Sequence, residues 1–187
     1  MDAFSYLSVL LSIILGLAMT QILQGYRVLM LHRRRVRLAA TPLIWSGLLL
    51  LFATQAWWAS FGLRSHTDWS FAGFTVVLAQ MAFLYLMAAV VLPDVPADGE
   101  LDLGDHHRET APVFFGLFLG VLAASMIKDR VLDGRWPQGS NLLFHGTLAA
   151  TSMAGIAFTK TKAQLVLALL TAAGFALYVW ILFARLH

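Results

Sequence analysis

The first long apolar run constrains the fold more than any other feature of the sequence. From residue 7 it reads LSVLLSIILGLAMTQILQGYRVLML, and it ends in His32, Arg33, Arg34 and Arg35. A helix needs about 20 apolar residues to cross the hydrocarbon core of a bilayer, and positive charge beside its end favours the cytoplasmic side. The run therefore predicts a membrane-spanning helix over residues 4–31, with the N-terminus outside.

The composition indicates that most of the chain lies in a membrane. Of its 187 residues, 59% are hydrophobic and 12% are charged, and the mean hydropathy is +0.75. Soluble domains contain about 45–50% apolar residues, so a soluble fold of this length could not bury so much apolar surface. We expect a single transmembrane domain over residues 1–187, without an appended soluble domain.

Five further apolar runs predict helices over residues 41–63, 70–92, 111–127, 141–159 and 163–184. The run at 111–127 is barely long enough to cross a bilayer. A polar loop over residues 94–109, with six acidic residues, separates the third run from the fourth. The sequence thus predicts an all-α membrane protein, built as a bundle of about six transmembrane helices.

The distribution of positive charge predicts the orientation of this bundle. Of the thirteen Lys and Arg residues, eight fall on the side of the arginine-rich loop and five on the other side. Cytoplasmic loops carry an excess of these residues, so we expect the loop 94–109 to be cytoplasmic and both termini to lie outside. The net charge of +3 does not indicate nucleic-acid binding, because five basic residues lie between Arg27 and Arg37, beside the first helix. The expected partner is the lipid bilayer.

A ridge of small and polar side chains recurs every four residues along the first helix. Its members are Ser8, Ser12, Gly16, Thr20 and Gln24. Small residues let two helices approach closely, so the ridge is either a packing seam or the lining of a polar cavity. We therefore expect the first helix either to pack at the centre of the bundle or to line whatever cavity exists. Similar small-residue patterns on other helices lead us to expect a homo-oligomer or a membrane protein partner.

Three glutamines, Gln21, Gln55 and Gln80, lie within predicted spans. Amides at this depth avoid lipid and form hydrogen bonds across helices or face water. The sequence leaves open whether they join helices or form a polar path that continues through Thr20 and Thr151. A channel or carrier would require the three glutamines to face a common cavity.

Four tryptophans, Trp57, Trp58, Trp69 and Trp180, fall at the outer membrane face in this arrangement. Tryptophan is enriched at membrane interfaces, where it forms a belt. The same side chains could instead line an aromatic pocket for a cation, a quinone or a lipid. The sequence favours the belt and leaves the pocket open.

No metal or cofactor site is predicted. The chain has no cysteine, which excludes disulfides, thiolate metal sites and a cysteine nucleophile. The loop 94–109 contains carboxylates with His106 and His107, but their spacing matches neither a calcium loop nor a helical His-x3-His pair. We expect a solvated flexible loop, with weak divalent-cation binding as the alternative. His145, in the fifth run, is expected to be a capped interfacial histidine, and a ligand or proton-sensing role is its alternative.

Several segments in the first half of the chain resemble a known group of proteins. They are GLAMTQIL in the first helix, the arginine-rich turn, Trp45, Gln55 with Trp57 and Trp58, and Leu92 with Pro93. Together they resemble a group of small bacterial multi-spanning inner-membrane proteins with no assigned function. The resemblance covers about residues 6–93 and implies a bacterial inner membrane. It implies no mechanism, cofactor or site residue.

No sequence motif joins a nucleophile to a base, so no catalytic residue is predicted. An enzyme would need a hydrophilic cluster at one membrane face that combines His106, His107 or His145 with a carboxylate. No Asp or Glu lies within a predicted span, which argues against an ion-coupled pump. We therefore expect a non-catalytic accessory or sensory component of the inner membrane. The alternative is a channel or carrier for a small solute or ion.

Overall fold

The computed structural model describes residues 3–94 and 100–184, in which six α-helices are joined by short connections. The helices are α1 (Ala3–Leu31), α2 (Ala40–Ser60), α3 (Phe71–Val91), α4 (Leu103–Leu132), α5 (Gly139–Ala157) and α6 (Thr161–Ala184). A 3₁₀ helix (Phe61–Ser65) extends α2, and two short strands, β1 (Val36–Arg37) and β2 (Leu101–Asp102), precede α2 and α4.

Five of these helices are long and apolar enough to cross a membrane, namely α1, α2 with its 3₁₀ extension, α3, α4 and α6. The prediction of an all-α membrane bundle is confirmed. The helix outside this group is α5. From the sequence, the fourth run, at residues 111–127, is expected to be the shortest crossing. The polar side chains of α5 account for its lower hydropathy, and they are Ser140, Asn141, His145, Thr147, Thr151 and Ser152.

The fourth helix begins at Leu103 and not at residue 111. Asp102 caps it, because its Oδ1 accepts hydrogen bonds from the backbone N–H groups of Gly104 at 2.8 Å and Asp105 at 3.1 Å. The prediction of a loop over 94–109 is therefore wrong for residues 103–109, which are helical. These polar turns carry no hydropathy signal, so the apolar run marks only the later part of the helix.

The middle of the bundle is formed by three helices: α2 packs against α1, α3, α4 and α6, α3 against α1, α2 and α4, and α4 against α2, α3 and α5. In contrast, α1 packs mainly against α2 and α3. The expectation that the first helix occupies the centre is wrong. Tyr6 and Phe74 form a ring contact at 6.1 Å, which places the beginnings of α1 and α3 on the same face. We call this the N-terminal face and the opposite one, with Arg33 to Arg35, the arginine face.

An aromatic cluster forms the core between α2 and α4. The fully buried Trp45 on α2 makes edge-to-face contacts with Phe114, Phe115 and Phe118 on α4, with ring centroids 5.3, 5.4 and 6.0 Å away. Each such pair contributes about 0.5–1.5 kcal/mol beyond its buried area. The Trp45 indole N–H has no hydrogen-bond partner among the described residues.

A parallel strand pair at the arginine face joins the loop after α1 to the segment before α4. Val36 pairs with Leu101 and Arg37 with Asp102. The backbone N–H of Leu101 donates to the carbonyl of Arg35 at 2.9 Å, and the Arg37 guanidinium lies 3.7 Å from the Asp102 carboxylate. Asp102 thus caps α4 and also pairs with the arginine-rich loop.

Gly155 lets α5 approach α4, because a Cβ at this position would overlap the ring of Phe115. We expect Gly155→Ala to lower the free energy of unfolding by about 1–3 kcal/mol through overpacking, although alanine favours helices over glycine. Thermal unfolding in detergent, followed by circular dichroism, measures this. The control is Gly146→Ala on the same helix, where a Cβ meets nothing within 4 Å. Equal melting temperatures for the two variants would contradict the prediction.

Candidate functional site

A cavity of about 280 Å³ lies between five helices near the N-terminal face. Its apolar wall includes Phe52, Phe118, Leu122, Leu148 and Phe175. Its polar groups come from every helix except α1 and include Gln55, Gln80, Ser125, Lys128, Asp129, Asn141, His145 and Tyr178. The cavity is therefore amphiphilic, with polar groups concentrated where α4 ends and α5 begins.

The short connection between α4 and α5 brings these polar groups together. Residues 133–138 link the two helices, so the last turns of α4 lie beside the first turns of α5. Ser125 and Lys128 on α4 consequently face Asn141 and His145 on α5. The positive φ of Gly134, +69°, occurs in this connection, where a residue with a Cβ would be strained.

His145 connects the two helices by a hydrogen bond to Ser125. Its Nε2 lies 3.0 Å from Ser125 Oγ, and its Nδ1 lies 2.8 Å from the carbonyl oxygen of Asn141. A carbonyl can only accept, so Nδ1 carries the proton, and in the neutral ring Nε2 accepts the hydrogen bond from the serine hydroxyl. The side chain is 9% exposed. The expected interfacial histidine is therefore a buried member of the cavity wall, bonded to a neighbouring helix.

Lys128 and Asp129 form an ion pair in the cavity lining. Lys128 Nζ lies 2.7 Å from Asp129 Oδ1, and the two side chains are 23% and 17% exposed. Both residues lie beyond the predicted end of the fourth helix at residue 127, but α4 continues to Leu132 and includes them. The pair places a cation and an anion side by side, so neither charge faces the cavity without a counter-charge.

The structure brings together two of the three predicted glutamines. Gln55 and Gln80 line the cavity from α2 and α3. Gln21 does not, because its Nε2 donates to Tyr85 Oη at 3.3 Å, and it lines a separate hollow near the arginine face. Thr20 and Thr151 donate to carbonyls of their own helices. The two hollows share no lining residue, so the predicted polar path is not continuous between Gln21 and Gln80.

Most of the small and polar ridge on α1 is exposed and not packed against another helix. Ser12, Gly16, Thr20 and Gln24 are exposed. The buried face of α1 instead carries large apolar residues, namely Leu7, Leu11, Leu15, Ala18 and Ile22. These follow nearly the same spacing as the ridge, so the periodicity alone does not distinguish the two faces. The ridge lines no part of the cavity.

The four predicted tryptophans do not enclose a pocket. Trp57, Trp58 and Trp180 are 53%, 64% and 68% exposed. Trp69 packs against His66 and Phe74. None of the four lines the cavity, and their outward placement at the N-terminal face is that of an aromatic belt.

A second buried histidine, His107, lies on the opposite side of the bundle. Its Nε2 lies 3.1 Å from Gln164 Oε1, while Gln164 Nε2 donates to the carbonyls of Gly155 at 2.7 Å and Phe158 at 2.8 Å. His107 and Gln164 are 4% and 2% exposed. This network ties α4 to the turn between α5 and α6. Sequence reasoning missed Gln164, because it lies in the first turn of an apolar run and matches no motif.

The polar residues of segment 94–109, which the sequence predicts to be a loop, interact with different parts of the fold. His106 Nε2 lies 3.1 Å from the carbonyl of Val90, and Asp105 pairs with Arg108 at 2.7 Å. Asp98 lies outside the described residues. Within residues 3–94 and 100–184, no group of three or more His, Asp and Glu side chains could hold a metal ion.

No protein-family model matches the sequence, and neither a curated protein nor a solved structure matches it. The geometry and chemistry of the cavity are therefore the basis for a functional proposal.

Proposed function

We propose that the protein binds a small amphiphilic molecule in the cavity and acts as a sensory or accessory component of a bacterial inner membrane. The observation that supports this is the combination of an apolar wall with convergent polar groups at one end. Binding sites for small molecules are mostly apolar, contain a few placed polar groups and measure about 300–1,000 Å³. At about 280 Å³, this cavity suits a ligand at the small end of that range.

The polar groups favour an uncharged head group on this ligand. Because Lys128 and Asp129 neutralise each other, a charged head group gains no unpaired counter-ion. The side-chain amides of Gln55, Gln80 and Asn141 form no hydrogen bond with the described residues. Amides donate and accept, so they match an alcohol, an amide, an ester or a quinone carbonyl.

A carrier for a small solute is the second candidate. The observation in its favour is the hollow of about 650 Å³ near the arginine face, lined by Gln21, Gln24 and Arg27 among others. A carrier needs access from both faces of the membrane. This candidate ranks below ligand binding, because the two hollows share no lining residue.

Filling the cavity should abolish ligand binding. We expect neutral C8 amphiphiles, namely octanol, octanamide and octyl acetate, to raise the melting temperature of the purified protein, since a ligand at 100 times its Kd stabilises by about 2.7 kcal/mol. Leu122→Trp should remove this rise, because Leu122 lines the cavity. Ile127→Trp is the control, as this exposed α4 residue lies outside the cavity lining. A panel without any effect, or an equal rise in both variants, would overturn the proposal.

We also propose that the arginine face is cytoplasmic and that both termini lie outside. Arg33, Arg34 and Arg35 on one short loop support this orientation. The absence of native cysteine allows single-cysteine labelling. An impermeant maleimide should label Ser65→Cys in intact cells and His32→Cys only after permeabilisation, since both positions are exposed, on opposite faces. The reverse pattern would invert the orientation.

The exposed ridge on α1 leads us to propose a homo-oligomer. Gly16 has open space around it, so a second helix could approach closely there. We expect a mass above the single-chain value in nanodiscs, and Gly16→Leu should lower it. Gly174→Leu, at an open and exposed site on α6, should leave it unchanged. A single-chain mass for the unmodified protein would exclude the homo-oligomer, and the ridge would then suit a different membrane protein partner.

A further inference from the structure

We propose that Ser125 and His145 form a nucleophile and base pair that hydrolyses an ester amphiphile held in the cavity. This inference depends on the proposed function for the presence of a ligand beside the pair. It adds a reaction and a substrate class, a neutral ester with a short apolar chain.

The His145 ring forms one hydrogen bond through each of its two nitrogens. Activation of a serine requires a base within hydrogen-bond reach and a third group that orients the base. His145 Nε2 lies 3.0 Å from Ser125 Oγ, and the Asn141 carbonyl fixes the proton on Nδ1 at 2.8 Å. In the neutral ring Nε2 then carries no proton and lies within hydrogen-bond distance of the hydroxyl, as a base must.

Ser125 differs from the other serine and threonine residues near the cavity in its hydrogen-bond partner. Ser60, Thr147, Thr151 and Ser152 each donate to a carbonyl three or four residues earlier in their own helix. A carbonyl holds the hydroxyl proton in place and does not remove it. The Ser125 hydroxyl instead forms a hydrogen bond with Nε2 of His145 on another helix, and this nitrogen can accept the proton.

The cavity around Ser125 and His145 contains hydrogen-bond donors. Three side-chain amides, Gln55, Gln80 and Asn141, line the same cavity and make no hydrogen bond within the described parts of the chain. Their N–H groups are available to a negatively charged oxygen, and donors placed at such an oxygen stabilise the transition state of acyl transfer. His145 lies within two turns of the start of α5, at the end of the cavity that is near the N-terminal face.

The reaction has two steps. In the first, Ser125 Oγ forms a bond to the ester carbonyl carbon while His145 Nε2 takes the hydroxyl proton. The carbon–oxygen bond to the alcohol breaks, and the proton passes to the leaving oxygen. In the second step, water forms a bond to the carbonyl carbon of the acyl-serine while His145 Nε2 takes a proton from the water. The bond between this carbon and Ser125 Oγ breaks, and the proton passes from His145 to Oγ. The products are one carboxylic acid and one alcohol for each ester and water consumed.

Labelling with a hexyl fluorophosphonate tests the pair, because serine oxygen displaces fluoride from phosphorus only when it is activated. We expect one adduct per chain in the intact mass, located on Ser125 by peptide mapping of the unmodified protein in nanodiscs. Ser125→Ala should lose the adduct, and His145→Gln should lower the labelling rate by about 100-fold or more. Thr147→Ala is the matched control, since this exposed hydroxyl lies on the same helix as His145 but outside the cavity lining, and the variant should leave the rate unchanged.

Hydrolysis of p-nitrophenyl hexanoate gives the second readout and should follow the same order among the variants. An adduct elsewhere, no adduct, or a rate unaffected by His145→Gln would overturn the ester-cleavage proposal. The thermal shift with octanamide separates this failure from that of the binding proposal. A shift without labelling would leave ligand binding in place and remove the reaction, whereas a loss of both would remove the two proposals together.

Discussion

The fold depends on the close packing of Phe115 on α4. Its ring is fully buried, contacts Trp45 on α2 and occupies the space left by Gly155 on α5. Apolar side chains gain little by moving from lipid tails to protein, so packing and hydrogen bonds hold such a bundle together. Phe118 contacts Trp45 and also lines the cavity, and its ring packs against that of Phe52, a second lining residue. The aromatic cluster therefore continues into the cavity wall.

Two histidines on opposite sides of this cluster have different surroundings. His107 is bonded to the amide of Gln164 and lies beside the ring of Phe115, with centroids 6.4 Å apart. An amide oxygen offers no proton to remove, and His107 lines neither of the two hollows described above, so this histidine has a structural role. His145 is bonded to a hydroxyl at the edge of a cavity. The two histidines thus differ in the hydrogen-bond partner of Nε2, which is an amide oxygen for His107 and a hydroxyl for His145.

Much of the helical layout can be predicted from hydropathy, and most of the site cannot. The apolar runs locate the helices, but the beginning of α4 is set by the carboxylate of Asp102, which a hydropathy pattern does not register. The ridge on α1 suggests a buried seam, yet the leucines on the opposite side of the helix are the buried ones. Gln55 and Gln80 share a cavity, but Gln21 lies outside it, so the common cavity of three glutamines that a channel or carrier requires is not formed. Ser125 matches no motif, because its partner His145 is distant along the chain and adjacent only after α4 and α5 pair.

The pairing of β1 with β2 has a consequence for biogenesis. Each strand lies outside the helices, between two spans that enter the bilayer at different moments of synthesis. The strands can meet only after α3 has crossed and the chain has returned to the arginine face. Their hydrogen bonds therefore form only after α1, α2 and α3 have been synthesised. Because Asp102 caps α4 and also pairs with Arg37, the strand pair ties the start of α4 to the loop that follows the first helix.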